Sequence, residues 1–215
     1  MKDKLSRIFK GIIAVGGFTG LYLHLDFLRG APPTYKFMHF TVISNIIVTV
    51  IYFLLLANPK ISQNRSFLRF KGAVIMMITV TGVVYNTILK SEPYTAYDLF
   101  MKSDVLGNFI VHVFIPVCVV ADWLIFDKKG CYKIYDPLLW TLFPYAYVIF
   151  TVVVAHIGQF YPNQESRYPY NFMAWDVYGF SAVFKNIVLM SVFFIVLGYI
   201  FYFVGYLLGK KKNKC

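Results

Sequence analysis

Six stretches of about 20 residues, each nearly free of charge, follow one another along the chain, and an unbroken apolar run of that length is what a bilayer crossing requires. Hydrocarbon offers no water to backbone N–H and C=O groups, so each run has to satisfy them internally, as a helix does. The runs extend roughly over Ile8 to Leu28, Phe37 to Leu56, Gly72 to Leu89, Val105 to Phe126, Leu138 to Gly158 and Phe180 to Leu208. Within 215 residues they leave room for one bundle and no second domain. The expectation is an all-α polytopic membrane protein, a single transmembrane domain of six helices over residues 1–215. Composition agrees: 59% of residues are hydrophobic and 14% charged, where a soluble domain is about half apolar.

The formal charge of +11 raises nucleic acid as a partner. The basic residues, however, lie in short clusters between apolar runs and form no polar face, so no nucleic-acid partner is expected. Lys2, Lys4, Arg7 and Lys10 fall at or before the start of the first run; Lys60, Arg65, Arg69 and Lys71 fill the second connection; Lys128, Lys129 and Lys133 fill the fourth; Lys210, Lys211, Lys212 and Lys214 close the chain. The remaining connections dilute their cations with Glu92, Asp98, Asp104, Glu165 and Asp176. By the positive-inside rule both termini are cytoplasmic. The first run imitates a signal peptide, but no small-x-small cleavage site precedes His24 and Asp26, so it reads as the first span. Cys131 and Cys215 then face the reducing side and Cys118 the bilayer, and no disulfide framework is expected.

This topology converts sequence position into depth. His24 and Asp26, Thr41, Ser44 and Asn45, Tyr85 and Asn86, Asn108 and His112, His156, and Lys185 and Asn186 all fall in the outer half, whereas the inner half is nearly all aliphatic and aromatic apart from Asp122. At 1.5 Å per residue, Thr41 lies about 6 Å and His112 about 10 Å past the start of its span. Thr41, Ser44 and Asn45 share one helical stripe, and Asn108 and His112 repeat the four-residue spacing. Pro116, four residues after His112, has no N–H to give the His112 carbonyl and is expected to bend the helix beside an ionisable side chain.

Taken singly, Ser44, Asn45, Thr79, Gly82 and Asn86 read as interhelical packing groups. His112 reads as functional, because an intramembrane ionisable group is costly unless used or paired. His24, Asp26 and His156 read as interfacial, and Asp122, beside Trp123, as an interfacial anchor paired with Lys128 or Lys129. The aromatic loop Gln159 to Tyr178 reads equally as a headgroup belt or as a lid.

Four segments carry a family likeness: FTVISN at Phe40 to Asn45, TGVVYN at Thr81 to Asn86, NFIVHVFIPVCVVADWLIF at Asn108 to Phe126, and YPYNFMAWDVYG at Tyr168 to Gly179. Together they resemble the bacterial branch of the androgen-induced-gene-one-like family of six-span membrane proteins, in order and over nearly the whole chain. The resemblance implies location in a bacterial plasma membrane. It also implies an intramembrane threonine hydrolase of fatty acid esters of hydroxy fatty acids or related lipids. Thr41 matches the family's nucleophile and His112 its base, with Ser44, Asn45, Tyr85, Asn86 and Asn108 as candidates for binding substrate or an oxyanion. A lipid ester and membrane lipids are the expected partners; no cofactor or metal is expected, and the oligomeric state is left open.

The alternative is a small-molecule or proton-coupled transporter using the outer polar layer, with Asp26, His112 and Lys185 along its path. Against it, the two three-span halves show no internal repeat. Haem ligation by His24, His39, His112 or His156 lacks paired spacing, and metal hydrolysis lacks an H-E-x-x-H cluster.

Overall fold

The computed structural model describes residues 2–30, 33–90, 92–158, 161 and 165–210. Gln159, Lys211, Lys212, Lys214 and Cys215, named above, lie outside the described residues. The described residues are helices and their connections, with no strand among them. Seven helices organise the chain: α1 (Lys2–His24), α2 (Phe40–Ala57), α3 (Arg65–Leu89), the short α4 (Ala96–Met101), α5 (Ser103–Phe126), α6 (Asp136–His156) and α7 (Trp175–Lys210).

Local chemistry sets the boundaries. Asn64 opens α3 by accepting the Phe67 amide at 3.1 Å, and Thr95 does the same for α4 through Asp98. Pro137 occupies the first turn of α6, where its missing N–H costs nothing. Gly179 breaks the start of α7 with φ 74°, a conformation that glycine adopts without steric penalty.

Five of these helices, α2, α3, α5, α6 and α7, are long and apolar enough to cross a membrane. At 23 residues α1 has the length, about 34 Å at 1.5 Å per residue, but Lys2, Asp3, Lys4, Arg7 and Lys10 dilute its apolar character. The runs expected at Gly72 to Leu89, Val105 to Phe126 and Phe180 to Leu208 sit inside longer helices, whereas those at Ile8 to Leu28 and Leu138 to Gly158 outlast α1 and α6 and that at Phe37 to Leu56 begins before α2.

The main core lies among α1, α2, α3 and α5, where Ile13, Val48, Tyr52, Ile75, Met76, Ile115 and Val119 are fully or almost fully buried. Small residues bring the backbones together. A Cβ placed on Gly107 of α5 would stand 2.5 Å from the His24 amide nitrogen and 2.8 Å from the Leu23 carbonyl carbon, so α1 and α5 touch backbone to backbone there. Half of the most apolar window of α2 is buried but only 17% of that of α7, which marks α7 as the peripheral helix.

At the end of the bundle where α1 and α3 begin, Asp122 is wholly buried and corrects the expectation of an interfacial anchor. Its carboxylate accepts from Lys10 at 3.0 Å, Lys71 at 2.7 Å and the Tyr52 hydroxyl at 2.8 Å. Lys71 also pairs with Asp127 at 2.8 Å. Lys129 turns instead to the carbonyls of Trp123 and Asp127. Burial explains the choice: a carboxylate away from water needs partners that reach it inside the bundle, and those come from α1, α2 and α3. This half of the bundle is therefore less apolar than its sequence suggests. Nearby, Arg69 forks onto Asp136 at 2.5 and 2.8 Å and so ties α3 to the start of α6.

Candidate functional site

The polar stripe of α2 faces the bundle interior, with Thr41, Ser44 and Asn45 all buried. Across from it on α5 stands His112, 4% exposed, with its Nε2 3.1 Å from the Thr41 Oγ1. The other ring nitrogen, Nδ1, lies 2.9 Å from the Asn108 carbonyl oxygen. A carbonyl only accepts, so Nδ1 carries the proton and Nε2 presents its lone pair to the Thr41 hydroxyl, which donates. Residues 71 positions apart thus form a polarised hydroxyl–imidazole pair in a water-poor interior.

The backbone of α5 is shaped around this histidine. Ile110–Phe114 form a π turn between two α-helical segments, the local widening that Pro116 demands. The His112 carbonyl takes its hydrogen from the Asn86 side chain of α3 at 3.1 Å. Gly82 permits that approach: a Cβ there would meet the His112 carbonyl at 3.1 Å and Pro116 at 3.0 Å. Tyr85 stacks on the imidazole with ring centroids 3.6 Å apart, and its hydroxyl accepts from the Asn108 amide. The His24 ring approaches His112 edge-on at 5.6 Å.

All seven sequence-predicted site residues converge on this pair, in different capacities. The Asn45 amide donates to the carbonyls of Thr41 at 2.9 Å and Val111 at 3.1 Å, joining α2 to α5. The Asn86 amide is similarly occupied by the Gly82 and His112 carbonyls. Ser44 bridges the Thr41 carbonyl and the Thr81 hydroxyl. Tyr85 and Thr41 both line one cavity.

That cavity, about 70 Å³, runs from Thr41 between α3, α6 and α7. Val80, Val84, Pro144, Val148, Met190 and Phe194 make its walls, and among the described residues no charged side chain lines it. From the connection before α7, Tyr170 and Phe172 close over it, their rings stacked 5.2 Å apart. The Tyr170 phenol interacts with the Thr41 side chain, and burial raises its pKa, which keeps it a protonated donor. Sequence reading placed Tyr170 in the aromatic loop but not at Thr41; density of aromatics was the available signal, and it carries no direction. Tyr147 holds the α2 entrance by donating to the Met38 carbonyl at 2.9 Å and accepting the Phe40 amide at 3.1 Å.

The remaining candidates lie elsewhere. Asp26 is paired with Lys36, and Lys185 is exposed on α7. His156 is exposed, with its Nδ1 2.8 Å from the Val152 carbonyl, as an interfacial residue would be. Among the described residues no group of three His, Cys, Asp or Glu is arranged to hold a metal ion. Comparison of the chain with family models, with curated proteins and with solved structures gives no match.

Proposed function

We propose that the protein is an intramembrane lipid-ester hydrolase in which Thr41 is the nucleophile and His112 the general base. The observation that carries this reading is the 3.1 Å Thr41–His112 hydrogen bond, with the imidazole fixed in its productive tautomer by the Asn108 carbonyl. A threonine hydroxyl is a weak nucleophile until a base takes its proton, and a water-poor setting strengthens the hydrogen bond that aligns the two. Thr41 Oγ1 attacks the ester carbonyl as its proton passes to Nε2. The tetrahedral adduct collapses, the alkoxide leaves with the proton held by His112, and acyl-threonine remains. Water then gives a proton to His112 and attacks the acyl carbonyl, and the departing Thr41 oxygen recovers the proton.

The developing oxyanion requires donors beside Thr41. Tyr170 serves better than Asn45 and Asn86, whose amide hydrogens are taken by backbone carbonyls. The uncharged cavity suits a hydrocarbon chain, so fatty acid esters of hydroxy fatty acids or related lipids are the proposed substrates. The resemblance to the androgen-induced-gene-one-like family supports the same assignment, together with a sixth span at α1, both termini in the cytoplasm and a bacterial plasma membrane location.

The transport reading gains no support from the site, since Asp26 is paired with Lys36 and Lys185 is exposed. The test is labelling of the purified protein by a lipid-like fluorophosphonate. Wild type and Thr41→Ser are expected to label, while Thr41→Ala and His112→Ala do not. Equal labelling of folded wild type, Thr41→Ala and His112→Ala, or no labelling of any, refutes the assignment.

A further inference from the structure

We propose that the cavity beside Thr41 is the acyl-chain subsite, that the chain enters it sideways from the bilayer between α6 and α7, and that Phe194 sets its depth. The inference rests on the hydrolase reading for the identity of the chain. Three observations carry it.

The cavity is predominantly apolar. Its polar lining residues are Thr41, Thr81, Ser191 and the tyrosines Tyr85, Tyr145, Tyr147 and Tyr170, and several of their hydroxyls are already bonded: Ser191 donates to the Ile187 carbonyl at 2.7 Å, Thr81 to the Met77 carbonyl at 3.2 Å and Tyr147 to the Met38 carbonyl at 2.9 Å. An alkyl chain running from a carbonyl at Thr41 suits such a wall; a polar solute would leave its groups without partners along it.

The cavity is also elongated. Its α7 wall runs from Ile187 to Phe194 and its α3 wall from Val80 to Leu89, spans of about 10 and about 14 Å at 1.5 Å per residue. Phe194 packs with Val80 and Val84 in one buried cluster and ends the α7 wall.

Finally, the helices part where the cavity opens. The first turn and a half of α6 packs closely on α7, as at Gly198, where a Cβ would meet Pro137 at 3.0 Å. Beyond Trp140 the body of α6, Leu142–His156, draws away from α7, and the cavity lies between them. Partly exposed Tyr145, Ile187 and Ser191 form the rim, while Tyr170 and Phe172 cover the Thr41 end. The open side is the one that lipid tails would bathe.

Two readouts on the full-length protein in phosphatidylcholine vesicles test this. In the first, palmitate bearing a photoreactive diazirine on its chain is crosslinked and mapped by mass spectrometry in wild type and in Thr41→Ala. Adducts are expected on Pro144–Val148 and Ile187–Phe194, lost in Ser191→Trp and in a second rim variant, Ile187→Trp. In the second, nitrophenyl esters from acetate to palmitate are compared. Ser191→Trp is expected to lower the long-to-short turnover ratio about tenfold, and Phe194→Ala to shift the preferred chain upward. Adducts at these segments without Thr41-dependent turnover uphold the subsite and sink the hydrolase reading. Thr41-dependent turnover with an unaltered chain-length profile in all three variants, or adducts mapping elsewhere, overturns the subsite and leaves the hydrolase standing.

Discussion

Replacing Asp122 with alanine is expected to cost the fold about 3–5 kcal/mol, the range seen when one partner of a buried ion pair is removed. The structure shows how that loss divides. Lys71 keeps Asp127 at 2.8 Å, so it is not orphaned. Lys10, which is 8% exposed, keeps the Ser6 hydroxyl at 2.6 Å and the face of the Phe126 ring at 5.3 Å but loses the Asp122 carboxylate. The Tyr52 phenol, fully buried, loses its acceptor, which alone is worth about 1–3 kcal/mol. For a chain of this size about 4 kcal/mol lowers the melting temperature by about 8–16 °C. Thermal unfolding in a mild detergent, followed by circular dichroism, measures the shift. A cycle with Lys71→Met and Asp122→Leu adds the decisive number, because removing both charges leaves less unpaired than removing either. The double variant should be about 1–3 kcal/mol more stable than the sum of the singles predicts. A melting temperature within about 2 °C of wild type for Asp122→Ala, or strict additivity in the cycle, would show that these groups are solvated and that the buried network is not a stabilising element.

Gly107→Ala is expected to destabilise by at least about 1–3 kcal/mol, because the new methyl meets backbone atoms of α1 that cannot rotate away; an unchanged unfolding midpoint would refute the close α1–α5 approach. Lys129 gives a pH test. Burial lowers its pKa from 10.5 to about 8, against the opposing pull of Asp127. Between those values the unfolded chain binds more protons than the folded one, so stability rises with pH across that window and is flat below it. Melting temperatures from pH 7 to pH 10 should show a rise in wild type that is smaller in Lys129→Met; parallel curves would remove Lys129 from the account.

Much of the site was legible because helical spacing and membrane depth are both properties of sequence. Thr41, Ser44 and Asn45 share a face by their three- and four-residue spacing, and depth alone set them level with His112. Pro116 announced an unsatisfied His112 carbonyl, and the structure supplies Asn86 as its donor. The partners of Asp122 were illegible for a physical reason. Lys10 and Lys71 lie 112 and 51 residues away, and each stands in a basic cluster whose plain reading is topology. Nothing in the spacing tells that one lysine of a cluster turns inward while its neighbours stay in water. The span expected at α1 was similarly half-legible, because the charges from which the positive-inside rule would orient it are the same ones that dilute its apolar character.

The positions of the two polar clusters explain how one bundle can be both firm and accessible. Lys10, Tyr52, Lys71 and Asp122 bind α1, α2, α3 and α5 to one another at one end, and Asn45 and Asn86 join α2 to α5 and α3 to α5 at the other. Thr41 and His112 both belong to this four-helix unit, and Asn45 joins their two helices directly, while from the cavity's far wall Tyr147 of α6 ties to the start of α2. That wall comes from α6 and α7, and α6 is fastened to α3 chiefly by Arg69 and Asp136 at its first turn. A displacement of α7 would widen the cavity and leave the Thr41–His112 distance unchanged. On the hydrolase reading, the helices that hold the chemistry are then distinct from those that admit the lipid, and substitutions along Ile187–Phe194 should alter which esters are cleaved more than whether any is.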